Sequence, residues 1–325
     1  MTTVLITGAT GFSGSALVEQ YAASGAEVHG VYRDPADDRS WLPDDVVFHA
    51  VDLNDGLAVL DLVEAVMPDV VHHLAAQSSA AVSLQDPMGT LNANTLMQYN
   101  VLEAVRRATP SARVIVVGSC DEYGDVAPDD NPIVETQELR PVTPYALSKV
   151  VQDLMGQQYA IAHHLQVVRV RPFLQLGPRR SDRFAAGSFA RQIAEIELGT
   201  REPIISVGNI DLQRDFCDVR DVARALALAA EAGVPRSVYN IASGTAHTLR
   251  DLLTLMLDCA GVEATIEQDE TRLRSGEPLV LIGDASRLRA ATGWTTQISF
   301  DQSAADTLSY WQVQVRRTLL QEGKA

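Results

Sequence analysis

A tyrosine and a lysine stand four residues apart, at Tyr145 and Lys149, in a stretch whose pattern predicts a helix over 144–163. Residues four apart lie on one face of a helix, so we expect the lysine ammonium beneath the tyrosine ring. The ordinary pKa of a phenol is about 10, and a nearby cation favours the phenolate. Tyr145 is therefore a candidate general acid or base, although the same spacing also occurs on exposed helix faces.

A serine and two carboxylates follow the predicted strand 113–117, at Ser119, Asp121 and Glu122. Ligands of open α/β sheets bind at the carboxyl ends of the strands, so we expect Ser119 to lie near Tyr145. If this stretch continues as a strand, Glu122 points to the other face from Asp121. Asp121 is either a carboxylate of the site or a residue that caps a turn.

Three glycines, Gly8, Gly11 and Gly14, join the predicted strand 4–7 to a predicted helix over 12–24. In a dinucleotide site the first allows a tight turn, the second lets the backbone approach a pyrophosphate, and the third lets the helix pack close to the strand. The helix N-terminus favours the anion. An ordinary glycine turn is the alternative, but the strand–turn–helix context indicates nucleotide binding.

The end of the second predicted strand, 27–32, indicates which dinucleotide binds. An NAD site places an acidic residue there for the ribose 2′-hydroxyl, whereas a 2′-phosphate needs an arginine. The next residue is Arg33, which favours NADP(H); a surface arginine paired with Asp34 is the alternative. Asp52 and Leu53, after the third predicted strand, are expected to flank the adenine.

Strands alternate with helices through the first half of the chain, which predicts βαβ units and a parallel sheet with helices on both faces. We predict an α/β fold: a doubly wound parallel Rossmann sheet with a smaller α/β C-terminal substrate domain. The predicted Rossmann domain comprises 1–172 and about 213–246, and the substrate domain about 173–212 and 247–325. The further predicted strands are 46–51, 70–74, 166–170 and 239–242, and the further helices are 57–66, 91–108, 249–260 and 301–311.

The composition limits the classes of partner. The 325-residue chain carries 26 basic and 42 acidic residues, a formal net charge of −16, which disfavours nucleic acid and anionic membrane surfaces. Three cysteines without a CxxC motif, no signal peptide and no membrane-length apolar run favour the cytoplasm. The paired histidines His72-His73 and His163-His164 are expected to be structural, and no metal site is predicted.

The glycine loop, Ser119 and the Tyr145–Lys149 pair resemble the extended short-chain dehydrogenase/reductase family over nearly the whole chain. The second half is similar to a narrower branch, the GDP-mannose 4,6-dehydratases and the reductases of GDP-4-keto-6-deoxy-D-mannose that form GDP-D-rhamnose. The segments that carry this likeness are 189–197, 207–211, 214–221, 278–284 and 292–294.

The resemblance implies a role for each matching residue. The catalytic residues would be Tyr145 and Lys149, with Ser119 at the sugar's C4 oxygen and Asp121 as the neighbouring carboxylate. The NADP(H) positions would be Gly8, Thr10, Gly11, Phe12, Gly14, Arg33, Asp52, Leu53, Leu74, Ala75, Ala76, Asn94, Tyr145 and Lys149. The nucleotide-sugar contacts would be Ser78, Ser119, Arg191, Asn209, Arg214 and Arg274. A guanidinium suits a diphosphate because it donates two parallel bonds, and a surface salt bridge is the alternative for each arginine.

Reductases and dehydratases of this branch differ in a carboxylate. A dehydratase also removes a C5 proton and expels the C6 hydroxyl, normally with a glutamate where Asp121 stands. Asp121 is one methylene shorter, and a misplacement of about 1 Å costs on the order of 100-fold. This favours NADPH-dependent reduction of the C4 ketone of a GDP-4-keto-6-deoxyhexose. A 4,6-dehydratase, a 4-epimerase, a UDP- or dTDP-sugar substrate and a non-catalytic NADP(H)-binding regulator remain alternatives.

The sequence departs from the branch after the predicted strand 166–170 and in the basic loop that follows. Where the branch has Asn-His, this chain has Leu174 and Gln175, and the arginines Arg179, Arg180 and Arg183 in the next loop are candidates for replacement contacts. The helices 91–108 and 144–163 carry apolar residues on more than one face. In relatives these helices pair across a two-fold axis, so the resemblance implies a homodimer through a four-helix bundle; otherwise the apolar residues are core.

Overall fold

The computed structural model describes residues 1–34, 39–273 and 276–322. Strands and helices alternate through the first half, as the sequence predicts. The strands of the described residues are β1 (Thr3–Thr7), β2 (Glu27–Tyr32), β3 (Val47–Ala50), β4 (Val70–His73), β5 (Arg113–Val117), β6 (Gln166–Pro172), β7 (Leu174–Leu176), β8 (Ile204–Val207), β9 (Gln213–Asp218), β10 (Val238–Ile241), β11 (Ala246–Thr248), β12 (Thr265–Gln268) and β13 (Val280–Leu281). The α-helices are α1 (Phe12–Ala23), α2 (Gly56–Val66), α3 (Ala80–Gln85), α4 (Pro87–Ala108), α5 (Pro144–Ala162), α6 (Ala185–Glu197), α7 (Val219–Ala232), α8 (Leu249–Ala260), α9 (Ser286–Thr292) and α10 (Phe300–Gln321).

Seven strands form one sheet in the order β10-β6-β5-β4-β1-β2-β3, and every neighbouring pair in it is parallel. Helices α1 and α7 pack against each other, and α4 packs against both α2 and α5. The strand order reverses between β1 and β4, where a crevice for ligands opens in such sheets. The predicted doubly wound α/β fold is confirmed.

Two apolar clusters lie on the two faces of this sheet. In β1, Val4 and Ile6 belong to the first cluster and Leu5 to the second. In β5, Ile115 belongs to the first cluster and Val114 to the second. Side chains alternate along a strand, so an almost continuous apolar strand buries both of its faces. The faces are therefore closed by helices, and the carboxyl edge is left to bind ligands.

A smaller part of the structure has its own apolar cluster, built by α6, α8 and α10 around Phe189, Leu252 and Leu308. In a second sheet, β9 pairs in parallel with β7 and β13 and antiparallel with β11. Between these elements the chain returns to the large sheet, where α7 packs on α1 and β10 pairs with β6. The domain boundaries stay a prediction, and β9, at the start of 213–246, lies in the second sheet.

The start of α5 is set by its sequence. The Thr143 hydroxyl oxygen accepts a hydrogen bond from the Ala146 amide at 3.1 Å, and Pro144 occupies a first-turn position that needs no donor. Tyr145 therefore lies in the first turn of α5, and Lys149 lies one turn further on. The helix begins at the carboxyl edge of the sheet and brings both side chains there.

Several elements differ from the sequence-based predictions. Helices α3, α6, α7 and α9 are not among the predicted elements, and α10 continues to Gln321 rather than ending at Trp311. The extension of α10 packs along α6, where Gln312 Nε2 donates to Glu197 at 2.6 Å, a long-range contact that a local pattern does not reveal. Within the described residues, no helix is long and apolar enough to cross a membrane.

Candidate active site

A cleft of about 1180 Å³ opens at the carboxyl edge of the large sheet. Its walls come from the loop between β1 and α1, the end of β5, the start of α5 and segments of the smaller part. A single small ligand typically occupies about 300–1,000 Å³, so the cleft has room for a dinucleotide and a second ligand. The sequence-predicted residues that line it are Gly8, Gly11, Phe12, Gly14, Leu74, Ala75, Ala76, Ser78, Ser119, Asp121, Tyr145, Lys149, Asn209 and Arg214.

The predicted catalytic pair is buried in this cleft. Burial, and after it the Asp121 carboxylate, raises the pKa of the Tyr145 phenol, while the hydrogen bond with the Ser119 side chain opposes the rise. The pKa of the phenol therefore lies above its ordinary value although Lys149 stands four residues away, because desolvation of the phenolate dominates. The Lys149 ammonium donates to the Val117 carbonyl at 2.8 Å, and burial lowers its pKa to about 8.

The stretch after β5 is a 3₁₀ turn over Cys120–Glu122, not a continued strand. The Ser119 hydroxyl oxygen accepts from the Asp121 amide at 3.1 Å, and Glu122 Oε1 accepts from the Ser119 amide at 2.8 Å. Ser119 and Glu122 therefore cap this turn, while the neighbouring Asp121 lines the cleft. Glu122 does point away from the cleft, but through the geometry of the turn rather than through strand alternation.

The glycine loop has little room for side chains. Gly8 has φ of +69°, and a Cβ there would lie 2.9 Å from the Ala75 nitrogen; a Cβ on Gly14 would lie 2.0 Å from the Gly8 carbonyl oxygen. Helix α1 follows Gly11 without a side-chain cap and without an acidic residue in its first turn. Its first amide groups and its positive dipole end are thus left to the cleft, where they stabilise an anion.

Four of the predicted cofactor residues lie outside the lining of the cleft: Thr10 of the glycine loop, and Arg33, Asp52 and Leu53 of the predicted adenine end. Arg33 is exposed directly after β2. Hydrogen bonds from the backbone and side chain of Asn54, at 3.0 and 2.8 Å, lower the pKa of Asp52. Leu53 is buried, and its carbonyl accepts from Asn100 at 2.8 Å. Their role towards a cofactor stays a prediction.

The cofactor candidate Asn94 lies in the interior of the protein. Its side chain accepts from the Gln77 amide at 2.7 Å and donates to the Ser148 hydroxyl at 2.8 Å. It thereby ties the loop after β4 to the start of α5. Asn94 is fully buried and does not line the cleft. It lies behind α5, where it holds Ser148 rather than facing the cleft.

One of the predicted nucleotide-sugar arginines, Arg191, is not found in the lining of the cleft. Arg191 projects from α6 with its side chain 48% exposed, and it forms ion pairs with Asp182 and, at 2.7 Å, with Glu195. This is the surface salt bridge that was the alternative for each arginine. Arg274 lies outside the described residues.

The other predicted substrate residues do line the cleft. Arg214 is buried on β9, and it donates to the carbonyls of Gln213 and Pro278, both at 2.9 Å. Burial lowers the pKa of its guanidinium, while the Glu277 carboxylate opposes this shift. Asn209 accepts from the Asp211 amide at 3.1 Å, and Ser78 is exposed at the mouth.

Arg180 is a cleft residue that the sequence left undecided among three arginines. Its guanidinium carbon lies 3.8 Å from the centre of the Phe184 ring and 4.9 Å from that of Phe12. Burial lowers its pKa to about 10, and the nearby Tyr145 and Asp121 oppose this. A cation held between two aromatic rings beside the phenol suits an anionic ligand.

The other two arginines of this loop, Arg179 and Arg183, also line the cleft. Arg179 forms a bidentate ion pair with Glu19 at 2.8 Å, so its charge is already engaged. The basic loop after β7 was a visible signal in the sequence, whereas the placement of Arg180 between two rings depends on Phe12, which comes from a distant segment.

The comparisons with known proteins match this architecture. The model of the family described as GDP-mannose 4,6 dehydratase matches residues 5–307. The chain belongs to this family. It is 38% identical over 250 residues to GDP-6-deoxy-D-mannose reductase of Pseudomonas aeruginosa, covering 77% of this chain and 82% of that protein. It is 30% identical over 319 residues to GDP-mannose 4,6 dehydratase 2 of Arabidopsis thaliana, covering 92% of this chain and 83% of that one.

A solved structure shows the same likeness. The structure of RMD from Pseudomonas aeruginosa complexed with NADPH has a TM-score of 0.85 and 33% identity, and it covers 97% of this chain and 100% of that chain. The resemblance that the glycine loop, Ser119 and the Tyr145–Lys149 pair carry is thus confirmed. The family match, over residues 5–307, covers both the large sheet and the smaller part of this chain.

Proposed function

We propose that the protein is an NADPH-dependent reductase that converts the C4 ketone of a GDP-4-keto-6-deoxyhexose into the hydroxyl of a GDP-6-deoxyhexose of the GDP-D-rhamnose type. The observation that carries the proposal is the state of Tyr145 in the cleft. Its phenol contacts Ser119 and has a raised pKa, so it keeps its proton near neutral pH. A ketone reduction needs that proton donor. The 38% identity to a GDP-6-deoxy-D-mannose reductase supports the same reaction.

NADPH, when bound, supplies the hydride that the C4 carbon receives. The protein supplies the rest of the reaction: Tyr145 gives its phenolic proton to the C4 oxygen, and Ser119 donates a hydrogen bond to the same oxygen. The ketone thus gains a hydride at carbon and a proton at oxygen, and the phenolate is left on Tyr145. The ammonium of Lys149 stabilises that phenolate until solvent returns the proton.

The cofactor would be held by the glycine loop and by the ends of the neighbouring strands. The constraints at Gly8 and Gly14 leave a backbone surface against which a pyrophosphate fits, and the uncapped start of α1 stabilises its charge. Arg33, exposed after β2, would take the 2′-phosphate that distinguishes NADP(H) from NAD(H). Leu74, Ala75 and Ala76 would line the nucleotide on the β4 side.

The nucleotide-sugar would occupy the part of the cleft between α5 and the smaller part. Arg214 and Arg180 would face its diphosphate, because both are cations of the cleft wall in a protein whose net charge is −16. Ser78 and Asn209 would add hydrogen bonds at the mouth. Arg191 is engaged at the surface, so we do not place it among the phosphate contacts.

A 4,6-dehydratase is the second candidate, and one observation favours it. Asp121 presents a carboxylate to the cleft at the position where a dehydratase needs one for the C5 and C6 steps. A dehydratase recycles its dinucleotide. It would therefore consume GDP-mannose without added NADPH and retain tightly bound cofactor after purification.

The deciding experiment offers the purified protein both reactions. With a GDP-4-keto-6-deoxy sugar, we expect NADPH absorbance to fall in step with the appearance of a GDP-6-deoxyhexose. No loss of NADPH would contradict the reductase assignment. Turnover of GDP-mannose without added NADPH would select the dehydratase. The same assay with UDP- and dTDP-4-keto-6-deoxy sugars measures the preference for the base.

The proposed assembly is a homodimer in the cytoplasm. Large apolar side chains are exposed on two adjacent helices, Leu96 and Tyr99 on α4 and Leu147, Leu154 and Ile161 on α5. The three on α5 are seven residues apart, the spacing of a seam between helices. Two copies of this α4–α5 surface would pair as a four-helix bundle.

A further inference from the structure

A buried arginine, Arg171 on β6, contacts two carboxylates that come from different parts of the active site. Its Nε donates to Glu122 at 2.9 Å and to Asp153 at 3.0 Å, and its Nη2 lies 2.9 Å from the same Asp153 oxygen. The side chains of all three residues are at most 4% exposed. Hydrogen bonds between ionised, desolvated groups are strong and directional, so these contacts fix relative positions.

Each carboxylate is attached to an element that carries a catalytic group. Glu122 Oε1 accepts from the Ser119 amide at 2.8 Å, and this bond holds the turn on which the Ser119 hydroxyl stands. Asp153 lies on α5, one helical turn after Lys149 and two turns after Tyr145. Arg171 therefore connects the serine turn to the helix of the tyrosine and the lysine.

The surroundings leave this connection little freedom. Arg171 Nη1 also donates to the Tyr123 hydroxyl at 3.1 Å and to the Glu135 carbonyl at 3.3 Å, so the guanidinium is held on more than one side. A Cβ on Gly118 would lie only 2.1 Å from Glu122 Oε1. The carboxylate of Glu122 is thus packed against backbone as well as bonded.

We propose that Arg171 and Glu122 are positioning residues, which hold the Ser119 hydroxyl at the distance from the Tyr145 phenol that proton transfer to the substrate oxygen requires. The inference rests on the proposed reductase function, since it assigns two further residues to that reaction. Neither residue lines the cleft, so both act through Ser119. A displacement of about 1 Å in a catalytic group costs on the order of 100-fold in rate.

Glu122 also faces the catalytic lysine. Its negative charge favours the ammonium form of Lys149, against the burial that lowers the lysine pKa. Two further titratable groups are near Lys149: Tyr145, one turn earlier on α5, and His73, which burial keeps neutral, with its pKa lowered to about 3. Burial, and after it the Asp153 carboxylate, raises the pKa of Glu122 itself, while the Arg171 guanidinium opposes this rise and favours the charged carboxylate. Loss of the Glu122 charge should therefore shift the pH dependence of turnover, which a purely structural role would not do.

The chain contains a matched control for Arg171. Arg169 lies two residues earlier on the same face of β6, is similarly buried and also bonds to Asp153, but its described contacts do not include Glu122. Arg171→Lys keeps the charge but cannot bridge both carboxylates in the same geometry. Arg169→Lys makes the same change at a residue that contacts Asp153 but, in the described contacts, not the Glu122 of the serine turn. We expect Arg171→Lys to lower kcat about tenfold or more with KM for NADPH within about twofold, and Arg169→Lys to keep kcat within about threefold. Equal kcat values in the two variants would overturn the proposal.

Glu122→Gln provides a second variant in case Arg171→Lys does not fold, because it leaves Arg171 paired with Asp153. We expect a lower kcat, with an alkaline loss of activity that begins at a lower pH than in the wild type. Wild-type kcat and a wild-type pH profile in folded Glu122→Gln would also overturn the positioning role.

A readout that needs no substrate separates this inference from the proposed function. Amide hydrogen exchange over residues 118–122 should be faster in Arg171→Lys than in Arg169→Lys, because only the first change releases the serine turn. Equal exchange contradicts the positioning role whatever the reaction is. An inactive wild-type protein whose two variants still differ in exchange contradicts the reductase assignment alone.

Discussion

The chemistry of single residues in this protein is governed by burial more than by neighbouring charge. The Tyr145 phenol has a raised pKa although a lysine stands four residues away, because desolvation and Asp121 disfavour the phenolate. The same desolvation lowers the pKa of Lys149 to about 8. The cleft thus holds a protonated phenol beside an ammonium that is close to losing its proton, which suits proton donation to a ketone.

Removal of the Tyr145 hydroxyl tests its role as the acid. Tyr145→Phe should lower kcat for the ketone by about 10²- to 10⁴-fold, the range of general acid catalysis, with NADPH affinity retained. NADPH consumption and a fluorescence titration of NADPH measure the two quantities. Tyr99→Phe, at an exposed tyrosine on α4, is the matched control and should keep wild-type activity. A rate for Tyr145→Phe equal to that of the control would exclude Tyr145 as the acid.

The pH dependence of kcat tests the state of Lys149. The ammonium is present below its pKa of about 8 and is lost as the pH rises through that value, so kcat should fall on the alkaline side. The charged and titratable groups near it include Glu122, His73 and, one turn earlier on α5, Tyr145. In Lys149→Arg the cation persists to a much higher pH, and whatever activity remains should lose this alkaline fall. An unchanged profile in Lys149→Arg would assign the ionisation to another group.

At the scale of elements, the junction of β1 and α1 combines a steric requirement with an electrostatic one. Gly14 brings the first turn of α1 onto the Gly8 carbonyl, and this close packing aims the uncapped helix end at the cleft. The two requirements act together, since a helix displaced from the strand would also displace its amide groups from the bound phosphate.

A methyl group at Gly14 tests this junction. Gly14→Ala places a Cβ 2.0 Å from the Gly8 carbonyl oxygen, so we expect a loss of about 1–3 kcal/mol in the free energy of unfolding and a weaker affinity for NADPH. Gly199→Ala is the control: its φ is +69°, but open space surrounds the added Cβ. It should lose stability through backbone strain alone and keep its NADPH affinity. Urea unfolding and NADPH titration compare the two, and wild-type affinity in Gly14→Ala would contradict the account.

At the scale of the whole molecule, an apolar surface on α4 and α5 lies directly behind the catalytic helix. Tyr145 and Lys149 face the cleft, whereas Leu147 and Leu154 of the same helix are exposed. These exposed apolar side chains are the ones that the proposed homodimer would bury. Dimerisation there would hold α5, and with it the catalytic pair, from its outer side.

A charge in the middle of this surface tests the dimer. Leu154→Asp should give a monomer by sedimentation velocity, because a carboxylate would be buried between two apolar faces. Val313→Asp, at a comparably exposed residue on α10, should leave the dimer intact. A wild-type protein that sediments as a monomer, or a dimeric Leu154→Asp variant, would contradict the proposed four-helix bundle.

Local patterns determined the elements and most of the cleft. Apolar alternation, the glycine spacing after β1 and the tyrosine–lysine spacing on α5 each depend on residues close in sequence, so the large sheet and the positions of Gly8, Ser119 and Tyr145 were predictable. The local sequence did not reveal the helices α6 and α7, because both are stabilised by packing against distant segments: α6 against α10, and α7 against α1.

Only the tertiary structure decided how charges are distributed. Arg180 and Arg191 are alike in sequence, but Arg180 enters the cleft between two aromatic rings while Arg191 is paired at the surface. Glu122 was predicted to point to the other face of a continued strand, whereas it lies in a turn, buried and paired with Arg171. The net charge of −16 therefore says little about the site. The physical reason is that burial and ion pairing depend on groups brought together from remote parts of the chain, which local periodicity does not encode.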